Sequence, residues 1–145
     1  MSEFDSILVA TDFSDISGDA FTKAVGLARQ LNAQLHIVHI VQIHPANMPQ
    51  SGNVNVDELE AMEEKSAGDS LQKVLDEQCQ GIDVKTHILH GDPAEQVMQT
   101  AKEFGVDIIV MGTHGRTGLS HLIMGSVAES VIKNSKTPVL CVKSG

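Results

Sequence analysis

The sequence predicts an α/β protein, with a mostly parallel five-stranded sheet that is covered by helices on both faces. Short apolar runs rich in β-branched residues alternate along the chain with longer segments of helical period. The first and fourth runs are almost wholly apolar, as expected of central strands that are buried on both faces. Regular alternation of strand and helix favours a parallel sheet whose connections are right-handed crossovers.

The individual elements follow from the same patterns. The five predicted strands are SILVAT (Ser6 to Thr11), QLHIVHIV (Gln34 to Val41), VKTHILH (Val84 to His90), DIIVMG (Asp107 to Gly112) and PVLCVK (Pro138 to Lys143). Between them, apolar residues recur at the spacing of one helix face. These residues are Ile16, Ala20, Ala24, Leu27, Ala28 and Leu31 in the first helix, and Leu59, Met62, Leu71, Val74 and Leu75 in the second. The fourth helix is expected to begin near Gly125 and Ser126, to turn Val127, Ala128, Val131 and Ile132 inward, and to end before Asn134.

The third helix has the clearest start and stop signals. Asp92 is suited to cap its first turn, Pro93 to occupy its first position, and Glu95 to reach back to the cap. Gly105 follows Phe104 as a stop. The sequence therefore predicts a helix that starts after Asp92 and stops before Gly105.

Length and charge narrow the class of protein. Residues 1–145, of 15.5 kDa, are expected to form one domain around a single hydrophobic core. The net charge of −9 and the absence of a basic run argue against nucleic acid as a partner and against a membrane surface. No apolar run approaches the roughly 18 residues of a membrane-spanning helix. The start MSEFDS is acidic where a signal peptide would be basic, so a cytoplasmic location is expected.

The two cysteines carry no predicted chemistry. Cys79 and Cys141 lack metal-ligand spacing. Two reduced, partly buried thiols are therefore favoured over a disulfide.

One connection is longer than packing requires. QIHPANMPQSGNVNV, from Gln42 to Val56, is a polar loop that contains proline and glycine. Two interpretations stay open: a disordered loop on the surface, or a flap over a ligand.

The glycine-rich segment VMGTHGRTGLSHLIMGS, from Val110 to Ser126, points to an anion. Ligands of open parallel sheets bind beyond the carboxyl ends of the strands, and the first and fourth strands are the natural flanks of that crevice. Neither the dinucleotide glycine fingerprint nor a P-loop is present, because TDFSDIS has no glycine and no Gly-Lys-Ser/Thr occurs. The alternative is a flexible loop whose glycines serve only its turns.

Several residues of this segment are suited to hold phosphates. Gly112, Gly115 and Gly118 permit close backbone approach, so that amides converge on an anion. Gly125 and Ser126 open a helix whose first amides favour the same charge. Arg116 adds a positive side chain to an acidic protein.

The spacing Gly112, two residues, Gly115, nine residues, Gly125-Ser126 resembles the ATP-binding branch of the universal stress protein family. The likeness extends from ILVATDFS, through GDPAEQVMQTAKEFGVDIIVMGTHGRTGL, to GSVAESVIKNSKTPVLCVK. The resemblance implies a five-stranded sheet in the order 3-2-1-4-5, a homodimer, and ATP at the switch point with a divalent ion, Mg²⁺ or Mn²⁺.

The resemblance also implies roles for nine residues. Asp12 corresponds to an aspartate near the ribose and phosphates, and Val41 to a position whose backbone meets the adenine. The remaining positions are Met111 and Gly112 on the ribose side, and Gly115, Arg116, Gly125, Ser126 and Val127 at the phosphates. With no Trp or Tyr in the chain, the base is expected to lie against aliphatic groups such as Val9, Ile40, Val41 and Met111.

Asp12 and several histidines have competing interpretations. The alternative to a ligand role for Asp12 is that it caps the first helix or accepts hydrogen bonds from local N–H groups. His114 and His121 suit either phosphate binding or a plain loop surface. A metal site is disfavoured, because His36 and His39 point to opposite faces of one strand; surface or partly buried histidines are expected instead, at these positions and at His44, His87 and His90.

The last strand, from Pro138 to Lys143, is predicted to lie at an edge of the sheet and to present an apolar edge to a second copy of the chain. An edge covered by the C-terminal residues is the alternative. Assembly beyond the dimer and the protein partner are left open.

Three functions are compatible with the sequence. The first is an ATP-binding regulatory stress-response protein that acts on a partner through a change of conformation or assembly. The second is a slow ATP hydrolase or a phosphoryl or adenylyl transferase, and the third is a nucleotide-free dimeric adaptor. Asp12 and Arg116 are the only evident catalytic groups at the crevice, which counts against a fast enzyme.

Overall fold

Strands and helices alternate along the described chain, as the sequence predicts. A computed structural model describes residues 4–13, 15–41, 55–113 and 125–143. The elements are β1 (Ser6–Ala10), α1 (Asp15–Leu31), β2 (Gln34–Val41), α2 (Val56–Gln78), β3 (Val84–His90), α3 (Pro93–Phe104), β4 (Ile108–Gly112), α4 (Ser126–Asn134) and β5 (Val139–Val142). All five predicted strands are confirmed, with bounds that differ by at most one residue.

The sheet has the order β3-β2-β1-β4-β5, and each neighbouring pair of strands is parallel. This confirms both the α/β class and the strand order that the resemblance implies. β1 lies at the centre, where Ile7, Leu8 and Val9 are completely buried. The nearly continuous apolar sequence of this strand follows from its burial on both faces.

Helices cover both faces of the sheet, and each face has its own core. In β1, the side chain of Val9 belongs to one core and that of Leu8 to the other, because successive side chains of a strand alternate. α1 contributes Ala24 to the first core, and α4 contributes Val131 to the second. The helices that follow β1 and β4 therefore lie on opposite faces.

The predicted ends of α3 are confirmed. The Asp92 carboxylate accepts a hydrogen bond from the Glu95 amide over 3.0 Å, and Pro93 is the first helical residue. Gly105 ends the helix with φ of 60°, a left-handed conformation that glycine adopts without a steric penalty.

Two residues predicted to face the core are exposed instead. Met62 of α2 is 68 % exposed, and Ile132 of α4 is 44 % exposed. α2 has 23 residues and is roughly 34 Å long, whereas the seven residues of β3 span only about 23 Å. The first half of α2, which includes Met62, therefore extends beyond the strands that bury Ala67 and Leu71. Ile132 lies at the margin of the buried stripe of a short helix.

The described helices lack the features of a membrane span. Neither α2 nor another helix in the four described ranges combines the length and apolar character needed to cross a bilayer.

Both cysteines are free thiols, as predicted. Cys79 is buried at the end of α2, and Cys141 is half-buried in β5. Burial raises the pKa of both thiols, because it disfavours the charged thiolate. The positive charge of Arg29 opposes this effect at Cys79. Protonated thiols are poorer nucleophiles than thiolates.

Candidate functional site

The carboxyl ends of β1 and β4 meet where the following helices diverge to opposite faces of the sheet. β1 pairs with β2 on one side and with β4 on the other, and all three strands point the same way. α1 packs into the first core and α4 into the second. A divergence of this kind creates a crevice beyond the strand ends, the usual ligand position in open parallel sheets.

β1 is followed by a tight turn of Thr11, Asp12 and Phe13. The Thr11 amide donates to the carbonyl oxygen of Val38 over 3.0 Å, which continues the pairing of β1 with β2. The Phe13 amide donates to Thr11 Oγ1 over 3.1 Å. Phe13 has φ of 62°, a left-handed conformation that bulky residues rarely adopt. This turn carries Asp12, partly exposed, at the carboxyl edge of the sheet.

The position of Asp12 does not support the capping alternative. α1 begins at Asp15, so Asp12 precedes the first helical residue by three positions. An N-cap residue directly precedes the first helical residue. The ligand role of Asp12 stays a prediction.

A hydrogen bond closes the chain segment between β4 and α4. The Gly125 amide donates to the carbonyl oxygen of Thr113 over 2.6 Å. Thr113 directly follows Gly112 and is itself buried, and its amide donates to the carbonyl oxygen of Val142 over 3.2 Å. The first and last parts of the glycine pattern, Gly112 and Gly125, are thereby brought together despite residues 114–124 between them.

The start of α4 suits an anionic ligand. Gly125 is the N-cap residue, with φ of −63° and ψ of 151°, and it offers no side chain to cap the first turn. Ser126 is exposed as the first helical residue, and Val127 is half-buried against the second core. The amides of a first helical turn lack intrahelical partners, and the helix dipole adds positive potential there.

The apolar positions predicted near the base are mostly buried by the protein itself. Val41 and Met111 are 5 % and 4 % exposed, and Val9 is completely buried. The expectation that the Val9 side chain contacts a base is therefore wrong, since the neighbouring core already encloses it. Ile40 is half-buried, and at Val41 a backbone contact stays compatible with the burial of its side chain.

Other predictions fall outside the described residues. Gly115 and Arg116 lie there, as do His114, His121 and residues 42–54 of the suggested flap. Their roles stay predictions.

The histidines of β2 are more buried than the sequence suggested. His36 is 1 % exposed and His39 is 6 % exposed, so the expectation of surface or partly buried rings is wrong for both. They face opposite sides of the sheet: the His36 ring packs on Phe104 of α3, and the His39 ring on Phe13 before α1. This confirms that the two rings cannot share a metal ion.

His36 pairs instead with His87 on the neighbouring strand. Their Nδ1 and Nε2 atoms lie 3.1 Å apart, so one ring donates a hydrogen bond and the other accepts it. The Phe104 ring lies 5.1 Å from the His36 ring and 4.7 Å from the His87 ring. Burial lowers the pKa of both histidines. In the part of the chain that is described, no group of three or more His, Cys, Asp or Glu side chains is arranged to hold a metal ion.

His39 is a neighbour of the candidate site that sequence reasoning missed. Its Nδ1 lies 2.9 Å from the carbonyl oxygen of Thr11, directly before Asp12. The alternation of β2 indicates the face on which His39 lies, but the contact depends on the register between β1 and β2. That register is not visible in a single sequence.

Two open cavities lie away from the switch point. One of about 600 Å³ lies between α1 and β5, beside Lys23 and Val142. The other, of about 640 Å³, lies at the amino edge of the sheet beside Arg29 and Asp83. Neither is lined by a residue of the predicted nucleotide site.

Comparison with known proteins gives consistent matches. The sequence model described as "Universal stress protein family" matches residues 3–143. The universal stress protein MJ0577 of Methanocaldococcus jannaschii is 35 % identical over 157 residues, covering 97 % of this chain and 95 % of the relative. Its solved structure superposes with a TM-score of 0.86 at 31 % identity and covers 99 % of both chains.

Two further solved structures contain nucleotides. A universal stress protein in complex with cAMP has a TM-score of 0.65 at 27 % identity, covering 99 % of this chain and 100 % of its own. The universal stress protein of Archaeoglobus fulgidus in complex with dAMP has a TM-score of 0.62 at 27 % identity, covering 98 % and 100 %. The sequence match over nearly the whole chain and the shared strand order lead to one conclusion: the chain belongs to the universal stress protein family.

Proposed function

We propose that this protein binds an adenine nucleotide, ATP, beyond the carboxyl ends of β1 and β4, and that it acts as a regulatory stress-response protein. The observation that carries the proposal is the hydrogen bond from Gly125 to Thr113. It brings Gly112 and the amides that open α4 to one place, on the strand next to the turn of Asp12. Converging main-chain amides suit phosphates in a protein whose net charge is −9.

Nine residues form the proposed site. Asp12 lies near the ribose and phosphates, and the Val41 main chain meets the adenine. The others are Met111 and Gly112 at the ribose, and Gly115, Arg116, Gly125, Ser126 and Val127 at the phosphates. The buried side chains of Val41 and Met111 support main-chain contacts at these two positions.

The ligands of two relatives support the adenine nucleotide class. cAMP and dAMP share an adenine base and a phosphate, and each is bound by a universal stress protein of similar fold. ATP is the finer part of the proposal. It depends on the glycine pattern, which would supply two groups of amides for a chain of phosphates, one at Gly115 and one at Ser126 and Val127, since the Gly125 amide itself donates to Thr113.

A divalent ion, Mg²⁺ or Mn²⁺, would take most of its ligands from the nucleotide. Asp12 is the one carboxylate of the proposed site, and the described residues contain no other ligand cluster. A carboxylate oxygen is a suitable ligand for these hard cations. A bound ion would neutralise phosphate charge beside an acidic protein surface.

Regulation is favoured over catalysis because the site is poor in catalytic groups. Rapid phosphoryl transfer calls for a positioned base and several cations around the transferred group. The proposed site offers one carboxylate, Asp12, and one strong cation, Arg116. A single-turnover assay with Mg²⁺ separates the alternatives: hydrolysis above roughly 1 s⁻¹, the low end of ordinary enzyme turnover, would favour the enzyme.

We also propose a homodimer of a single domain, residues 1–145, in the cytoplasm. β5 pairs only with β4 and lies at the end of the described sheet, so its outer edge is suited to a second copy of the chain. The proposed interface covers Pro138 to Lys143. A dimer without nucleotide would be the adaptor alternative, against which the intact glycine spacing counts.

Isothermal titration calorimetry tests the binding proposal. ATP is titrated into the nucleotide-free protein with and without Mg²⁺, and GTP serves as the matched ligand with a different base. Saturable binding of ATP with weaker binding of GTP is expected. Equal binding of both nucleotides would refute adenine recognition, and no binding of either would refute the nucleotide site.

A further inference from the structure

The turn that carries Asp12 contains a conformation that requires support. Phe13, the residue after Asp12, has φ of 62°, a left-handed backbone conformation that is unfavourable for a residue with a bulky side chain. The local hydrogen bond from the Phe13 amide to Thr11 Oγ1, of 3.1 Å, closes the turn. Contacts from outside the turn are needed to fix its orientation relative to the sheet.

His39 of β2 contacts the turn on both sides of Asp12. A carbonyl oxygen only accepts hydrogen bonds, so the 2.9 Å contact means that His39 Nδ1 carries a proton and donates it to the Thr11 oxygen. The His39 ring also lies 4.7 Å from the Phe13 ring, with 35° between the ring planes. One buried side chain therefore holds the residue before Asp12 by a hydrogen bond and the residue after it by ring packing.

Burial strengthens this arrangement. His39 is 6 % exposed, so little water competes for its hydrogen bond to Thr11. An aliphatic side chain at this position would retain part of the packing but would lose the hydrogen bond. The carbonyl oxygen of Thr11 would then lose a buried partner, which is unfavourable.

We propose that His39 is a positioning residue of the nucleotide site, which holds Thr11 and Phe13 so that the Asp12 carboxylate faces the ligand. His39 acts through the turn and does not touch the nucleotide. The inference rests on the proposed function, because His39 can position Asp12 for a ligand only if a nucleotide binds beside this turn.

Three substitutions separate the hydrogen bond from the packing. The amide nitrogen of His39→Asn lies near the position of Nδ1, whereas that of His39→Gln lies near the position of Nε2. His39→Leu retains apolar bulk without a donor. His36→Leu is the matched control, because His36 is an equally buried histidine of the same strand on the opposite face of the sheet.

The expected pattern is specific to the donor at Nδ1. In calorimetry with ATP, His39→Leu and His39→Gln should weaken binding about tenfold, as loss of roughly 1.4 kcal/mol implies. His39→Asn should stay within about threefold of wild type, and His36→Leu should lower the melting temperature without changing ATP affinity. Amide hydrogen exchange of residues 11–13 without nucleotide should accelerate in the Leu and Gln variants only.

The outcomes distinguish this inference from the proposed function. If the wild-type protein does not bind ATP, both fail. If the wild type binds ATP and His39→Leu binds it equally well, only the inference fails. It is also overturned if the Asn, Gln and Leu variants lose affinity in proportion to their loss of thermal stability, because His39 would then have only a structural role.

Discussion

The Gly125 amide donates a hydrogen bond to the carbonyl oxygen of Thr113 over 2.6 Å, and this contact joins the end of β4 directly to the start of α4. Thr113 and Gly125, the described residues on either side of this segment, are therefore in direct contact. Gly112 and Gly125, the first and last glycines of the spaced pattern, thus lie together at the carboxyl edge of β4. The proposed phosphate site depends on this closure.

Enlarging Gly125, which is buried, should weaken nucleotide binding in a variant whose folding is verified by circular dichroism. Its φ of −63° and ψ of 151° are accessible to every amino acid, so Gly125→Val introduces no backbone strain. The added side chain would occupy the space through which phosphates approach the amides. We expect ATP affinity to fall at least about tenfold, a loss of roughly 1.4 kcal/mol in calorimetry. Unchanged affinity in a folded variant would show that the phosphate site is assigned wrongly.

Gly68→Ala is the matched glycine control in α2. No atom lies within 4 Å of the position that its added Cβ would take. Alanine loses less backbone entropy than glycine in a helix, so the free energy of unfolding should rise by about 0.5–1 kcal/mol. Urea unfolding measures this increase, and ATP affinity should stay at the wild-type value. A loss of affinity in this variant would mean that the assay responds to general changes in α2.

Removal of the α3 cap should destabilise the fold without affecting the site. Asp92→Ala deletes the carboxylate that accepts from the Glu95 amide over 3.0 Å. The expected loss is about 1 kcal/mol in the free energy of unfolding, the usual contribution of an N-cap side chain. Asp92→Asn should retain most of the stability, because asparagine also caps. Equal destabilisation by both changes would contradict a capping role.

The His36–His87 pair should make stability depend on pH. Burial lowers the pKa of each ring below its ordinary value of 6.5. Lys85 also lowers both values, whereas Asp83 opposes the shift at His36 and Glu103 opposes it at His87. Between the folded pKa values and 6.5, the unfolded chain binds more protons than the folded protein. The contribution of these two histidines to the free energy of unfolding is therefore complete above pH 6.5. It decreases as the pH falls from 6.5 through the folded pKa values.

Urea unfolding at a series of pH values measures this dependence. His87→Gln removes one of the two titrating rings, so its stability should fall less steeply below pH 6.5 than that of the wild type. The same slope in both proteins would show that the pair does not control the acid response.

The outer edge of β5 should determine dimerisation. The carbonyl oxygen of Pro138 accepts from Ile109 of β4, and that of Val142 accepts from Thr113, directly after β4. By alternation, the Cys141 amide points away from β4. Cys141→Pro removes an outward donor, and we expect sedimentation to show a monomer that remains folded. Leu140→Pro, one residue earlier, removes a donor to β4 and should instead destabilise the sheet. A Cys141→Pro protein that remains dimeric would exclude β5 as the interface.

The main features of the fold are predictable because they depend on local patterns. The apolar runs of β1 and β4 reflect burial on both faces, and the ends of α3 reflect the capping chemistry of Asp92 and Gly105. Met62 and Ile132 were predicted wrongly, because helical period identifies an apolar face but not how far the partner surface extends. Helix length relative to the sheet is a property of the packed structure.

The candidate site was only partly predictable. The glycine spacing and the acidic turn identify the carboxyl edge, because each of the two features lies within one short continuous segment of the sequence. The contact between His39 and Thr11 depends on strand register, and the burial of Val9 depends on how α1 covers β1. Tertiary contacts of this kind leave no local signal in the sequence.

Native mass spectrometry of the protein, purified without added nucleotide, tests the central claim most directly. A bound adenine nucleotide is expected in the wild type, and Gly125→Val should carry markedly less of it. A wild-type protein that is free of nucleotide, and that does not bind ATP when it is added in excess, would contradict the nucleotide-binding account.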